Sequence, residues 1–500
     1  MRPTCPKCPD APHGLLPTGR TRETTPEARS SSAATGLVAL ILQLALLSLL
    51  AGAVPALADT GQAGNPSVAD NRTVAAAASA SPGERAVEDT QVRMQSTYIF
   101  QRKPGFTSPY SAGNSLRAAA ERSYTSTTTG YFGLRPWQGG EVYANIEATQ
   151  GVPASGLVGL GGFGNGEATR AASSNPKIYR QRLFMRQTIG LGNGSETLES
   201  DANQMASIVD RDRVVITAGN FSLLDVLDDN AYAKDPRLQF FNWSNMTYAA
   251  YDYAADARGF GWGASTEWYT GDWIVRWARM TAPRDPNGLA IDYDITRHYG
   301  DQIEIDRGHT LGELPGRVRL LAYRNRARLA TFRDARAWGN AHPGQQPALL
   351  GARTGDHIKT GIGINLEQAV SASTGVFLRA MSSDGRTETM AFTEADRSIA
   401  AGLSVRGTAW RRAEDTVGLA LMQNRLSADR RDYLAAGNLS FFIGDGGLRY
   451  RPESIFETYY SLALNRHLAL TLDYQHIANP AYNAERGPAR FFGFRAHLEF

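Results

Sequence analysis

Short segments in which apolar and polar residues alternate recur from residue 92 onward, separated by clusters of Gly, Asp, Asn and Pro. A period of two puts successive side chains on opposite faces of a β-strand. Over 139–149, Val142, Ala144, Ile146 and Ala148 share one face; Glu141, Tyr143, Asn145, Glu147 and Thr149 share the other. Over 177–189, Tyr179, Leu183, Met185 and Ile189 oppose Arg180, Arg182, Arg186 and Thr188. In 466–475, Leu468, Leu470, Leu472 and Tyr474 oppose His467, Thr471, Asp473 and Gln475. In 490–500, Phe492, Phe494, Ala496, Leu498 and Phe500 oppose Arg495, His497 and Glu499. The other candidate strands are 92–101, 123–134, 212–221, 246–256, 260–269, 273–281, 301–307, 317–324, 358–367, 375–382, 397–406, 416–424 and 454–463. The pattern predicts an all-β chain, with no amphipathic helix longer than about three turns and no fixed-period repeat.

Alternation suits two architectures. In a soluble sandwich the apolar face packs on a second sheet, whereas in a transmembrane barrel it meets lipid and the polar face lines a wet lumen. Three signals favour the barrel. The candidate strands have about the nine to eleven residues that a tilted crossing needs. Aromatic residues gather near strand ends: Tyr131, Phe132 and Trp137; Trp262 and Trp268; Trp273 and Trp277; Phe491 and Phe492. Such residues form girdles at the membrane interfaces. The chain also stops on an alternating strand, at Phe500. Single-chain bacterial barrels use an even number of strands, so at least one of the seventeen segments is misread or one is missing. The expectation is a transmembrane antiparallel β-barrel of sixteen strands, with eighteen as the alternative. Sixteen strands leave an aqueous channel rather than a packed interior.

Residues 36–54 form the one long apolar run. Arg20, Arg22 and Arg29 precede it, and Pro55-Ala56-Leu57-Ala58 follows. A basic start, a Leu/Ala core and an Ala-x-Ala exit describe a secretory signal peptide, residues 1–58, cleaved after Ala58. An over-extended translation start accounts equally well for its long basic region. Residues 59–91, rich in Ala, Ser, Gly and Pro, read as a disordered leader. Residues 92–500 are the barrel, and the expected location is the bacterial outer membrane.

Composition narrows the function. Basic and acidic residues number 52 and 49, a net charge of +3. No Lys/Arg run stands out, so no nucleic-acid partner is expected. Gly reaches 50 and aromatics 9%, unlike a soluble helical protein. The two cysteines, Cys5 and Cys8, precede the apolar run, which excludes disulfides, thiolate metal sites and Cys nucleophiles from the exported part.

Three stretches resemble the carbohydrate-selective porin family of Gram-negative outer membranes. They are GYFGLRPWQGGEVYANIE at 130–147 with GLVGLGGFGNGEATR at 156–170, RQRLFMRQTIGLG at 180–192, and the block from Arg213 to Gly259, with its Asp-Pro-Arg and Asn-Trp elements. The resemblance is strongest over about 130–280. It implies a sixteen-stranded outer-membrane barrel that admits sugars by diffusion. Related barrels described as manganese porins keep a divalent-cation porin of the same fold as the alternative.

A neutral sugar needs hydrogen-bonding groups along its path and flat surfaces for its C–H faces. Arg forks and carboxylates on a lumen wall supply the former. Glu141, Asn145 and Glu147 make one inward stripe, and Arg180, Arg182 and Arg186 another on the next strand. If neighbours, the two stripes build an acidic–basic constriction, or else ordinary ion pairs that hold the wall. The Gly-rich segment 150–176 between them is a candidate for folding inward. Asp225, Asp228, Asp229, Asn230 and Asp235 are oxygen-rich, yet their spacing does not match an EF-hand loop, and a capped polar loop is the plainer reading. His298 and His309, with Asp294, Asp301, Glu304 and Asp306, are the candidate set for a manganese-type vestibule. A barrel enzyme is a second alternative, but only Ser461 and His467 offer themselves and nothing marks them out. No catalytic residue, metal ligand or cofactor is therefore assigned. Expected partners are small sugars, outer-membrane lipid and the barrel assembly machinery, the last through the strand ending at Phe500. A homotrimer is an allowed assembly.

Overall fold

A computed structural model describes residues 87–500. The expected signal peptide, 1–58, and the leader up to residue 86 lie outside the described residues. Sixteen strands follow: β1 (Thr90–Lys103), β2 (Glu121–Trp137), β3 (Gly140–Val152), β4 (Lys177–Leu198), β5 (Ser207–Phe221), β6 (Gly261–Thr270), β7 (Trp273–Thr281) and β8 (Tyr299–Leu311). Then come β9 (Leu314–Leu329), β10 (Gly355–Ser371), β11 (Thr374–Ser383), β12 (Arg397–Gly407), β13 (Arg412–Arg425), β14 (Glu453–Ala463), β15 (Leu468–Ala478) and β16 (Ala489–Glu499). Each pairs antiparallel with its sequence neighbours, and β1 pairs with β16, so the sheet closes. Closure leaves no unpaired edge, which a lipid environment requires. The amide and carbonyl of Phe500 each bond to Met94, at 2.8 and 3.0 Å, extending the β1–β16 seam to the last residue.

Sixteen of the seventeen predicted segments are these strands. The exception is 246–256, which lies inside the barrel. Its aromatic and alanine residues are buried whatever their parity, because they pack within the lumen rather than between lipid and water. On the wall the alternation holds. Leu472 is 66% exposed on the outer surface while Thr471 and Asp473 beside it are buried. Ile146, Ile362 and Phe492 are likewise exposed, and so much outward apolar surface marks a membrane face. Trp137, Trp268 and Trp273 are exposed at one rim. Tyr131 and Phe491, expected in the girdle, face inward and are buried, being odd-parity neighbours of the exposed Phe132 and Phe492.

The even-to-odd connections, such as 138–139, 271–272 and 312–313, are short and share this rim. The odd-to-even loops at the opposite rim are long. They hold four helices: α1 (Trp243–Met246), α2 (Phe332–Ala341), α3 (Ala348–Ala352) and α4 (Ala428–Ala435). Residues 390–392 of the β11–β12 loop pack onto the interior, the Met390 and Ala391 amides donating to Asp252 at 2.9 and 2.7 Å, and two further loops fold into the lumen. Segment 153–176 does so as expected. The amides of Gly161 and Gly162 donate to Glu453 of β14 at 2.9 and 2.8 Å, and the Gly164 carbonyl accepts from Gln101 of β1 and Gln475 of β15. Its glycines are demanded by closeness: at Gly159, φ is +88° and a Cβ would lie 1.8 Å from the amide nitrogen of Leu116.

The larger plug is segment 222–260, between β5 and β6. Arg379 of β11 donates to Asp228 at 3.0 Å, and Arg495 of β16 donates to the carbonyls of Pro236, Leu238 and Gln239 at 2.9, 2.7 and 2.7 Å. Lys359 of β10 lies 3.0 Å from Asp252. An apolar cluster including Trp243, Tyr248, Tyr251 and Tyr253 fills the space between these anchors. The interior is thus not the freely open channel expected of sixteen bare strands: one loop crosses it and is bonded to several walls.

Candidate functional site

The candidate site lies on the inner face of β3 and β4, where segment 222–260 meets the wall through Asp225. A register shift at its centre decides which side chains reach it. Asn145 pairs with Arg182 but Ile146 pairs with Arg180, so Gln181 is an extra residue in β4. A bulge reverses inside and outside for the residues beyond it. Gln181, Arg182 and Arg186 therefore engage interior groups, and so does Tyr179, which donates to Glu147. Arg180 shares the outer face with the exposed Ile146, its guanidinium 5.2 Å from the Trp262 ring. The expectation that Arg180 lines the lumen is corrected on this ground, as is the outward placement of Tyr179.

Glu141, Arg182 and Arg186 do come together with partners. Glu141 accepts from Arg135 at 2.9 Å and from the Tyr143 hydroxyl at 2.9 Å, and lies 3.5 Å from Arg186. The Arg186 guanidinium sits 5.3 Å from the Tyr143 ring and 5.6 Å from Phe184, and these two rings stack at 5.1 Å. Four residues along β4, about 13 Å at strand rise, Arg182 grips Asp225 through Nε at 2.7 Å and Nη2 at 2.6 Å. It also stands 5.0 Å from the Phe260 ring. Asp225 is placed by a capping box, its carboxylate accepting from the Ser222 amide at 3.0 Å. Burial would raise its pKa, but the Arg182 charge and hydrogen bonds overcome that and hold it below the ordinary carboxylate value. Although enclosed by wall and loop, the Asp225 and Arg186 side chains keep 28% and 20% of their surface accessible. They border water inside the barrel.

Asn145 and Glu147 face inward as expected but are fully covered. Glu147 accepts from Thr129 at 2.7 Å, Gln181 at 2.6 Å and Arg237 of the loop at 2.7 Å. Arg237 also donates to Glu167 at 2.8 Å. These groups secure the loop to the wall and are shielded from a passing solute. A further narrowing escaped the sequence altogether. The β4–β5 turn, 199–206, reaches β1 across the short-turn mouth, where Gln91 donates to the carbonyls of Asp201 and Gln204 and Arg93 to that of Ser200. Asn203 of this turn accepts from Arg186 at 2.9 Å.

The acidic set in 225–235 is dispersed. Asp225 is held by Arg182, Asp228 by Arg379, Asp229 by Lys234 at 2.9 Å, and Asn230 by Asn365 at 2.7 Å, while Asp235 accepts from the Arg237 amide at 2.7 Å. The histidine set is divided too. His298 bonds Asp292 and Asp356 at the long-loop rim, at 2.7 and 3.0 Å. His309 is near the other rim with Gln368, while Glu304 and Asp306 are buried inside with Arg276. Ser461 bonds Thr471 at 3.1 Å, and His467 bonds the Glu499 carbonyl at 2.8 Å, so neither meets the other in a nucleophile–base pair.

The family model "Carbohydrate-selective porin, OprB family" matches residues 133–500. The high-pH structure of Pseudomonas putida OprB superposes with a TM-score of 0.60 at 15% identity, covering 82% of this chain and 94% of that one. At that identity the likeness bears on the fold alone. The outer membrane channel DcaP of Acinetobacter baumannii superposes with a TM-score of 0.46 at 9% identity, over 82% of this chain and 97% of that chain. OccAB1 of the same organism gives 0.43 at 11%, over 83% and 97%. No curated protein matches the chain.

Proposed function

The chain belongs to the OprB family of carbohydrate-selective porins, and from that premise we propose that its sugar path runs along β3 and β4 past Arg182–Asp225 and Arg186–Glu141. The protein is an outer-membrane porin for carbohydrates, and the finer assignment rests on one observation. Two guanidinium–carboxylate pairs stand beside the rings of Tyr143, Phe184 and Phe260, inside the barrel yet in contact with water. Hydroxyl groups of a sugar exchange hydrogen bonds with the accessible edges of the charged pairs, while the buried rings of Tyr143, Phe184 and Phe260 back the guanidinium groups and fix their orientation. Selectivity then comes from width and wall chemistry, without energy coupling, cofactor or bond-breaking. A cation porin calls for unpaired carboxylates on the path, whereas both carboxylates here carry guanidinium partners.

Export by a signal peptide cleaved after Ala58, and assembly through the strand ending at Phe500, belong to the same reading. The latter is supported by the β1–β16 seam, where Phe500 and Met94 exchange backbone hydrogen bonds. Native mass spectrometry of the detergent-extracted barrel decides between a monomer and a homotrimer. The path is tested in planar bilayers by conductance block with glucose and maltose. Block is expected in the wild type, weakened about tenfold or more in Arg182→Gln, as the loss of a charged hydrogen bond implies, and unchanged in Arg180→Gln. Equal effects of the two substitutions would sink the assignment.

A further inference from the structure

On the outward surface the two rims differ in charge. Toward the short-turn rim, most outward positions are aromatic or aliphatic, as at Phe132, Leu134, Trp268, Trp273 and Leu498, and the arginine there, Arg307, lies against the Trp273 ring rather than against another arginine. Toward the long-loop rim arginines stand among aliphatic residues such as Ile178 and Ile358. Arg102 of β1 stands directly opposite Arg122 of β2, and Arg397 of β12 directly opposite Arg425 of β13. All four are exposed and alternate with buried inward neighbours: Gln101 and Lys103, Ser123, and Asn424. Arg102 shares its outward face with the exposed Phe492 of β16. On β9, Arg324, Arg326 and Arg328 occupy three successive outward positions.

Side chains directly opposite on paired strands have Cβ atoms about 5 Å apart, and like charges there repel. Neither pair has a carboxylate of the described residues to relieve it. The nearest acidic neighbour of the first pair, Glu121, points inward to Lys103 and to Arg117 of the rim, 3.6 Å from each. Arg425 donates to the neutral amide of Gln423 at 2.8 Å. A membrane barrel gains nothing from paired cations on its lipid side unless the surroundings supply anions at that depth. The long-loop rim of such a barrel faces outside, so the anions must belong to the external leaflet.

We propose that these arginine pairs bind the phosphates of anionic lipid headgroups in the outer leaflet, one phosphate bridging each pair. Guanidinium forks match phosphate oxygens bidentately, which is why arginine rather than lysine suits the task. A clamped headgroup at β1–β2 and another at β12–β13 would fix the depth of the barrel and neutralise the repulsion.

The test is native mass spectrometry of the full barrel in detergent, titrated with diphosphorylated lipid A, with the same glycolipid dephosphorylated, and with inorganic phosphate. The expected result is retention of the diphosphorylated lipid alone. Affinity should fall about fivefold for each arginine removed in R102Q/R122Q/R397Q/R425Q, with sugar block of the conductance unchanged. If the quadruple variant does not assemble, R102Q/R122Q is read in the same way. Equal retention of dephosphorylated lipid, or wild-type affinity in the variant, overturns the proposal. Displacement of the lipid by millimolar inorganic phosphate overturns the headgroup as the occupant.

Discussion

Replacing Arg237 with Met tests whether buried charge is what seats the inward loop. The Arg237 side chain is almost fully buried and joins Glu147, at 2.7 Å, and Glu167, at 2.8 Å, to segment 222–260. Glu167 keeps Arg170 at 3.1 Å after the substitution. Glu147, with no accessible surface, is left with only the neutral donors Thr129, Gln181 and Tyr179. Stranding one partner of a buried ion pair costs about 3–5 kcal/mol. The cost falls on loop seating rather than on the barrel, because the strand ladder closes without Arg237. At about 1.4 kcal/mol per decade, opening of the loop should rise by roughly two to three and a half powers of ten. Hydrogen exchange read by mass spectrometry on peptides covering 228–246 should lose that much protection, and single-channel conductance should become larger and noisier. The double variant E147Q/R237M should regain most of the protection, since no unpaired charge then remains buried. Unchanged protection in R237M, or a double variant as labile as the single one, would refute the reasoning.

Two further outcomes follow from the loops. Burial alone would lower the His298 pKa, but the bonds to Asp292 and Asp356 outweigh it and raise the group above its ordinary value. A raised value in the folded state means that the tether is at full strength below about pH 6.5 and weakens as pH rises through the folded pKa. Hydrogen exchange of 286–298, corrected for intrinsic rate, should accelerate across that window in the wild type and lose this dependence in H298Q; identical profiles would contradict it. Gly159→Ala must place a Cβ against the Leu116 backbone at a positive φ, whereas a Cβ at Gly162 meets first the rotatable Ser244 hydroxyl, at 2.2 Å. Gly159→Ala should therefore lower the heat stability of the folded band on gels by clearly more than Gly162→Ala, and equal shifts would show that segment 153–176 is not packed as described.

Much of the site was legible. Glu141, Arg182 and Arg186 are inward because the period of two carries them there. Arg180 was not, because one inserted residue, Gln181, leaves the composition of β4 untouched while reversing its faces. The alternation over 246–256 reads as a strand from the sequence, since periodicity reports amphipathicity and not what the segment packs against. Asp225 reads as a member of an acidic cluster until Arg182, distant in sequence, is brought within 2.6 Å of it.

By itself the sequence determined the barrel, the position of its sixteen strands within seventeen candidates and most of its lipid-facing surface, because each strand carries its own inside and outside in a repeat that needs no distant information. Only the tertiary structure decided how the lumen is filled and which charges a solute can touch. That outcome depends on where segment 222–260 meets Arg379, Arg495 and Glu147 on separate walls. Such meetings are set by closure of the cylinder, which brings together residues that no local pattern links.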